Sequence, residues 1–160
     1  MKRDYLKKTP CIGICSTTYG DQICRGCKRF AHEVTGWVKY GDAEKDIVNK
    51  RLEQFKTTIL QEKFEIIDAE KFKEFLRDAK ILFNQELNPI CWIFDLLRAS
   101  SHDDLNLESF GIKVKEQFSD HTLLELKDLI NREFFDLSVA HYDRYINNSL
   151  RDIIFSYGFN

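Results

Sequence analysis

Apolar residues in the middle of the chain recur at spacings of three and four, which is typical of helices that bury one face. The first such helix is predicted to begin with Asp42 as its N-cap and to end near Phe64. Its apolar stripe consists of Ile47, Val48, Leu52, Phe55 and Ile59. A second helix is predicted after Asp68, with a stripe made of Phe72, Phe75, Leu76, Ala79, Leu82 and Phe83. Asn88 is predicted to cap a third helix, whose residues 90–97 are nearly all apolar and should lie at the centre of the fold.

After a polar break, the pattern over residues 107–118 is compatible with two structures. Leu107, Phe110 and Val114 fit one face of a helix. Ile112 and Val114, however, alternate with lysines as they would in a strand. We predict a helix for this segment.

The remaining apolar pattern predicts three further helices. The first is capped by Ser119 or Asp120 and reaches a bend near Phe134. The other two cover residues 137–146 and residues 150–155. The stripes and breaks together predict an all-α fold, with a helical bundle of about five to seven helices. Its core is predicted to contain Phe75, Phe83 and Trp92.

Four of the five cysteines lie close together near the start of the chain, ahead of the predicted long helices. They are Cys11, Cys15, Cys24 and Cys27, in the pattern C-x3-C followed by C-x2-C. A tetrahedral metal site needs four sulfurs at about 2.3 Å, and two thiolates in one tight turn can approach the same ion. A Gly-Asp turn signal between the two pairs can fold the second pair back. The spacing therefore predicts an irregular four-cysteine metal knuckle, with a pair of disulfides as the alternative.

All-sulfur tetrahedral sites suit zinc or an iron–sulfur cluster. We expect one metal centre and favour zinc slightly over a cluster, because a compact structural site is typical of zinc. Residues 1–40 are predicted to form the four-cysteine metal-binding module and residues 41–160 an all-helical domain. Residues 29–37 are predicted to form a short helix that packs Trp37 against the cysteine loop as a lid. A base-stacking role for Trp37 is the alternative.

The residues around the cysteines resemble a small bacterial family, domain of unknown function 1289. The resemblance is carried by residues 9–15 and 23–29, Glu33-Val34, Trp37, residues 42–45 and Arg51-Leu52. It covers about residues 8–55, and Lys28 stands where a glycine is common in the family. Members are usually described as predicted iron–sulfur proteins. The resemblance therefore implies a metal site and no established activity.

Charge is distributed unevenly along the chain. Residues 1–59 carry twelve Lys and Arg against seven Asp and Glu, whereas residues 60–160 carry twelve against nineteen. A basic module beside an acidic remainder indicates either that the two parts complement each other, which we favour, or that the module contacts nucleic acid. The residues available for such a contact are Lys7, Lys8, Arg25, Lys28 and Arg29.

The sequence has no apolar run long enough to span a membrane and no secretory signal, so we expect a cytoplasmic protein. It also lacks a phosphate-binding glycine loop, a G-x-S-x-G elbow and an H-E-x-x-H motif, so the sequence identifies no catalytic residue. The favoured function is a non-catalytic metal-binding protein with a structural metal site and a helical body that contacts a protein partner. The alternatives are an iron–sulfur protein that supports electron transfer or RNA modification, and a nucleic-acid-binding protein that uses the basic module.

Overall fold

The structure of the chain, a computed structural model, describes residues 9–101 and 104–148. The described chain is mostly helical, in agreement with the predicted fold class at that level. The predicted helix over residues 150–155 lies outside the described residues.

Five α-helices occur in the described ranges, four of them in the part of the chain for which a bundle of five to seven was predicted. They are α1 (Ala31–Gly36), α2 (Asp42–Lys63), α3 (Ala69–Asp78), α4 (Trp92–Ser100) and α5 (Leu123–Tyr142). Short 3-10 segments lie at Ser16–Tyr19, Trp37–Lys39, Pro89–Cys91, Leu107–Phe110 and Glu116–Phe118, and α5 continues into a π-helical segment, Asp143–Asn147. None of these helices is both long enough and apolar enough to cross a lipid bilayer.

A small antiparallel sheet is formed by β1 (Phe64–Ile66) and β2 (Ile112–Val114), with the first residue of β1 opposite the last residue of β2. The helix predicted over residues 107–118 is therefore wrong. Gly111 has a φ of 80°, which ends the preceding 3-10 turn and sends the chain into an extended conformation. The alternation of apolar and lysine residues then has the period of a strand, and Ile112 is fully buried.

Two predicted helix starts are confirmed at the level of single hydrogen bonds. The Asp68 side chain accepts a hydrogen bond from the Lys71 backbone N–H at 3.0 Å, and Asn88 accepts one from the Ile90 N–H at 3.0 Å. Both side chains satisfy N–H groups that a helix leaves unpaired at its start. The third prediction is off by one residue, because Asp42 is the first residue of α2 and not its cap.

Helix α5 differs from its prediction in the residue that caps its start and in the absence of the predicted bend. Its start is closed by Thr122 and not by Ser119 or Asp120. The Thr122 hydroxyl accepts from the Glu125 N–H at 3.2 Å, and the Glu125 carboxylate accepts from the Thr122 N–H at 2.8 Å. The predicted bend near Phe134 is also wrong, since α5 runs without interruption through that position.

The described residues divide into two compact units. The cysteine unit comprises residues 9–49 and 134–148, and the central unit comprises residues 50–133. The cysteine unit thus includes the end of α5 as well as the start of the described chain. The predicted division into residues 1–40 and 41–160 stays a prediction.

The central unit has a core of large apolar side chains. Trp92 is buried as predicted, and its indole N–H donates to the Asn84 carbonyl at 2.9 Å. Phe75 and Phe83, also predicted in the core, are half-buried: Phe83 meets the Trp92 ring edge to face, and Phe75 stacks on Phe110. The fully buried residues of this core are Leu60, Phe64, Phe72, Leu76, Ile93, Leu96, Ile112, Leu126 and Ile130.

Candidate metal centre

The second cysteine pair is held by a short hairpin. Ile23 and Phe30 form an antiparallel bridge, and inside it the Cys24 N–H donates to the Arg29 carbonyl at 2.9 Å. The Cys24 carbonyl in turn accepts from the Lys28 N–H at 2.8 Å. These bonds fix the turn that carries Cys24 and Cys27, and both cysteines are buried. Backbone hydrogen bonds therefore hold the C-x2-C turn in a defined conformation.

The backbone around Cys24 lowers the pKa of its thiol. Burial raises the pKa of this thiol, but hydrogen bonds from the backbone of Cys27, Ser16 and Gly26 outweigh it, and the pKa falls to about 7. The Cys27 side chain also contributes a hydrogen bond, so the two sulfur-bearing side chains of this pair are neighbours. Because the thiolate is the form that binds metals, a large share of Cys24 is in the ligating form at neutral pH.

Cys27 has a different environment. Burial raises the pKa of its thiol, and the Arg29 side chain opposes this by donating a hydrogen bond from Nε to the Cys27 sulfur at 3.3 Å. The Arg29 guanidinium lies 4.7 Å from the centre of the Trp37 ring. The Lys45 ammonium lies 5.8 Å from the centre of the Trp37 ring, and the centres of the Trp37 and Tyr40 rings are 6.2 Å apart. The predicted packing of Trp37 near the cysteine loop thus occurs through Arg29.

The first cysteine pair lies in a more open loop. Cys11 is exposed, and its sulfur accepts a hydrogen bond from the Gly13 N–H at 3.3 Å, which Gly13 reaches with a φ of 96°. Cys15 is half-buried, and its sulfur lies 2.9 Å from the Thr17 hydroxyl oxygen. The 3-10 turn that follows ends at Gly20, whose φ of 99° confirms the predicted turn between the pairs.

The loop of the first pair packs directly on the turn of the second. A Cβ atom at Gly26 would come within 2.8 Å of the Ile14 carbonyl oxygen and 2.9 Å of the Ile12 side chain, so only glycine fits there without movement. The Ser16 hydroxyl accepts a hydrogen bond from the Arg25 N–H at 2.8 Å. The Cys24 sulfur lies 3.7 Å from the Ile14 carbonyl oxygen. These contacts bring together the two segments that the spacing predicted to meet.

The four sulfurs themselves are only partly gathered. All of these cysteines are free thiols, so the alternative of two disulfides does not describe this structure. Cys24 and Cys27 adjoin, whereas across residues 9–101 and 104–148 no three Cys, His, Asp or Glu side chains come together in a way that could hold an ion. The donor set still fits a thiophilic metal, because the four cysteines lie on two loops that touch each other.

The basic residues proposed for nucleic-acid contact have unequal access to solvent. Lys7 and Lys8 lie outside the described residues. Arg25 is exposed, pairs with Asp21 and lies over the Phe135 ring. Lys28 and Arg29 are exposed by only 2% and 5%, so their charges face the interior of the cysteine unit. Of the described residues in this set, only Arg25 presents its charge to solvent.

Lys28 has a backbone conformation that explains why glycine suits its position. Its φ is 64°, in the left-handed region that side chains with a Cβ rarely adopt. The side chain folds back, and its ammonium donates to the carbonyls of Arg25 at 2.5 Å and Gly26 at 3.1 Å. It also lies 5.3 Å from the centre of the Phe134 ring. The sequence marked this position as unusual but gave no sign of these bonds.

Glu33 and Phe30 shape the site through contacts that the sequence did not predict. The carboxylate of the buried Glu33 accepts a hydrogen bond from the Phe30 N–H at 2.9 Å, which closes the start of α1 directly after the hairpin. The Phe30 ring is buried against Tyr142 at 5.0 Å and His141 at 6.2 Å. The signal for Glu33 is its position three residues into a helix, where glutamate often bonds back to the start.

Comparison with known proteins gives one match. Residues 9–56 match the family model described as "Protein of unknown function (DUF1289)". This range contains all four clustered cysteines, and it confirms the resemblance noted for about residues 8–55. No match was found among the curated proteins or among the solved structures. The matching description assigns no activity.

Proposed function

We propose that this protein binds one metal centre through the thiolates of Cys11, Cys15, Cys24 and Cys27, and that the centre is structural. The observation that carries the proposal is the contact between the two cysteine loops, in which the first loop packs on Gly26 and the backbone of Ser16 and Gly26 lowers the pKa of the Cys24 thiol. Such an environment stabilises a negatively charged sulfur. It supports a ligand role for Cys24 more directly than the spacing alone.

A structural role is supported by the composition of the segment that carries the cysteines. Its buried apolar residues between positions 9 and 37 are few, with Ile23 and Phe30 the main ones. A segment with so little apolar surface gains most of its folding free energy from another source. Structural zinc sites in small peptides supply about 10–16 kcal/mol at neutral pH. A metal bound by four thiolates would provide this stabilisation and would leave no open coordination position for a substrate.

Both zinc and an iron–sulfur cluster accept four cysteine ligands, and we favour zinc. The two are separated by purification without oxygen, followed by a visible spectrum and elemental analysis. Zinc has no visible absorption, whereas an iron–sulfur cluster is coloured. A coloured protein with iron and sulfide in place of zinc would move the proposal to the cluster and keep the four ligands.

The ligand assignment predicts the metal content of five single variants. Replacing any one of the four clustered cysteines by serine should remove most of the metal, because a neutral hydroxyl is a poor substitute for a thiolate. Cys91→Ser is the matched control, since Cys91 is a buried cysteine of the central unit beside the Thr57 hydroxyl and is far from the cluster in sequence. Its metal content should equal that of the wild type.

The measurement is moles of metal per mole of chain, on protein purified without oxygen. Wild-type protein without metal would contradict the proposal. So would a Cys91→Ser variant that loses its metal while the four other variants keep theirs.

A further inference from the structure

We propose that Arg29 is a positioning residue of the metal centre: it donates a hydrogen bond to the ligand sulfur of Cys27 and supplies a buried positive charge beside it. This inference rests on the proposed function. It adds a residue that lies behind the four ligands and predicts that this residue increases the affinity of the centre for metal.

The geometry singles out Arg29 among the basic residues of the cysteine unit. Its Nε donates to the Cys27 sulfur at 3.3 Å, and the side chain is 95% buried. The Arg29 carbonyl accepts the Cys24 N–H at 2.9 Å, so the same residue is fixed by its backbone to the other cysteine of the pair. Arg29 therefore touches both cysteines of the second pair, one through its side chain and one through its backbone.

The burial of a guanidinium needs a compensating partner. Removing a cation from water is costly unless an anion or a strong acceptor lies beside it. The Arg29 side chain donates to the Cys27 sulfur, and its guanidinium lies over the Trp37 ring, 4.7 Å from the ring centre. The ring provides a cation–π attraction and holds the guanidinium in place. Four thiolates around a divalent ion carry net negative charge, and this is the anion that a cation at Arg29 would offset.

A hydrogen bond to a ligand sulfur has a known consequence for a metal site. Groups behind the ligands orient them and tune the metal, and their loss typically costs about 10- to 100-fold in metal affinity. We expect an effect in this range for Arg29→Met, which keeps an unbranched stem against Trp37 but removes both the charge and the donor. Arg29→Lys keeps the charge and should weaken binding less than Arg29→Met.

The matched control is Arg25→Met. Arg25 lies in the same turn and also stacks on an aromatic ring, Phe135 at 4.8 Å, but its side chain is exposed and pairs with Asp21. The probe is Zn²⁺ alone, titrated into reduced apo-protein in competition with a chromophoric chelator. The full chain is used throughout, and far-UV circular dichroism monitors the fold of each variant.

A second readout separates positioning from simple loss of structure. Co²⁺ bound to thiolates gives a sulfur-to-metal charge-transfer band, and a hydrogen bond to the sulfur moves this band to shorter wavelength by stabilising the sulfur lone pairs. The band of Arg29→Met should lie at longer wavelength than that of the wild type. A variant that is merely destabilised would give a weaker band at the same wavelength. Arg25→Met should leave the band in place.

The outcomes are distinguishable. If wild-type protein binds neither Zn²⁺ nor Co²⁺ and carries no iron–sulfur cluster when purified without oxygen, both this inference and the proposed function fail. If the wild type binds Zn²⁺ and a folded Arg29→Met matches Arg25→Met within about threefold, with an unshifted Co²⁺ band, only the role of Arg29 fails. If Arg29→Met does not fold, Arg29→Lys decides: an affinity and a band equal to those of Arg25→Met overturn the inference, whereas a weaker affinity with a shifted band supports it.

Discussion

At the scale of single residues, two lysines adopt the same uncommon backbone conformation for different local reasons. Lys28 has a φ of 64° and Lys80 a φ of 57°, and a non-glycine residue in this region costs about 1–2 kcal/mol. Lys80 follows the end of α3 in a Schellman motif. Its N–H donates to the Arg77 carbonyl, and the N–H of the next residue donates to the Leu76 carbonyl. The exposed Lys80 side chain gains little there, whereas Lys28 is buried and its ammonium binds two carbonyls.

This contrast predicts opposite effects for one substitution. Lys80→Gly should raise the free energy of unfolding by roughly 0.5–1 kcal/mol, because relief of the backbone cost exceeds the added freedom of glycine in the unfolded chain. Lys28→Gly should give no such gain, since it leaves the carbonyls of Arg25 and Gly26 without their donor. Urea unfolding followed by circular dichroism measures both changes.

The control for the Lys80 prediction lies in the same helix. Glu74→Gly, at an exposed position inside α3, should lower the free energy of unfolding by about 1 kcal/mol, which is the ordinary cost of glycine in a helix. A Lys80→Gly variant that is destabilised as much as Glu74→Gly would contradict the argument from the left-handed conformation.

At the scale of elements, the small sheet depends on one glycine. Gly111 has a φ of 80°, and a Cβ atom there would lie 2.5 Å from the Asp68 carbonyl oxygen. The Gly111 carbonyl accepts hydrogen bonds from the N–H groups of Ile67 at 2.8 Å and Asp68 at 3.1 Å. The same glycine thus joins the start of β2 to the chain that leaves β1 and enters α3.

Gly111→Ala should therefore lower the free energy of unfolding by roughly 2–4 kcal/mol, because strain in the backbone and a clash with a carbonyl act together. Gly41→Ala is the matched control: no atom lies within 4 Å of the added Cβ, and the effect should stay within about 0.5 kcal/mol. Chemical denaturation provides the measurement, and equal stabilities for the two variants would show that the Gly111 turn can relax at no cost.

The elements also show what could be read from the sequence. The caps Asp68 and Asn88 were predicted because a cap is a local interaction between a side chain and the next few N–H groups. The strand at Ile112 was considered but not chosen, because three residues are too few to establish a period and pairing with β1 depends on residues far away in sequence. The interruption predicted near Phe134 failed because adjacent aromatic residues do not by themselves end a helix.

In the candidate site, too, the sequence predicted the local features but not a contact that depends on the folded chain. The cysteine spacing and the turn at Gly20 are local, and both were predicted from the sequence alone. The contact between Arg29 and the Cys27 sulfur was not, because it requires the hairpin that pairs Ile23 with Phe30 and folds the Arg29 side chain back over the turn. Charge counting treated Arg29 as a surface residue, whereas the structure places it in the interior.

At the scale of the whole molecule, the proposed metal centre predicts that the two compact units draw on separate sources of stability. The central unit has its own apolar core, in which residues 90–97 are almost entirely buried. The cysteine segment, residues 9–37, has few buried apolar side chains and should depend on the bound metal. Loss of the metal should therefore affect the two parts of the chain unequally.

Chelation tests this by hydrogen exchange. With excess EDTA, the amides of residues 9–37 should exchange at least about tenfold faster, since local opening no longer breaks metal–sulfur bonds. The amides of residues 90–97 should keep their protection. EDTA saturated with Zn²⁺ beforehand is the control and should change neither set. Equal loss of protection in both sets would contradict independent stabilisation of the central unit.

The cysteine unit combines two stretches of chain that are far apart in sequence, and the ribosome therefore makes them at different times. Phe30 packs on Tyr142, and Lys28 lies over Phe134, so residues from the end of α5 complete the surroundings of the cysteine turn. During synthesis the cysteines leave the ribosome first. At about 5–20 residues per second, the ribosome needs roughly 4–17 s to add residues 50–133 before the partners from α5 follow. During this interval the thiols of Cys24 and Cys27, which are buried in the completed protein, lack their finished enclosure and are open to oxidation and to adventitious metal ions.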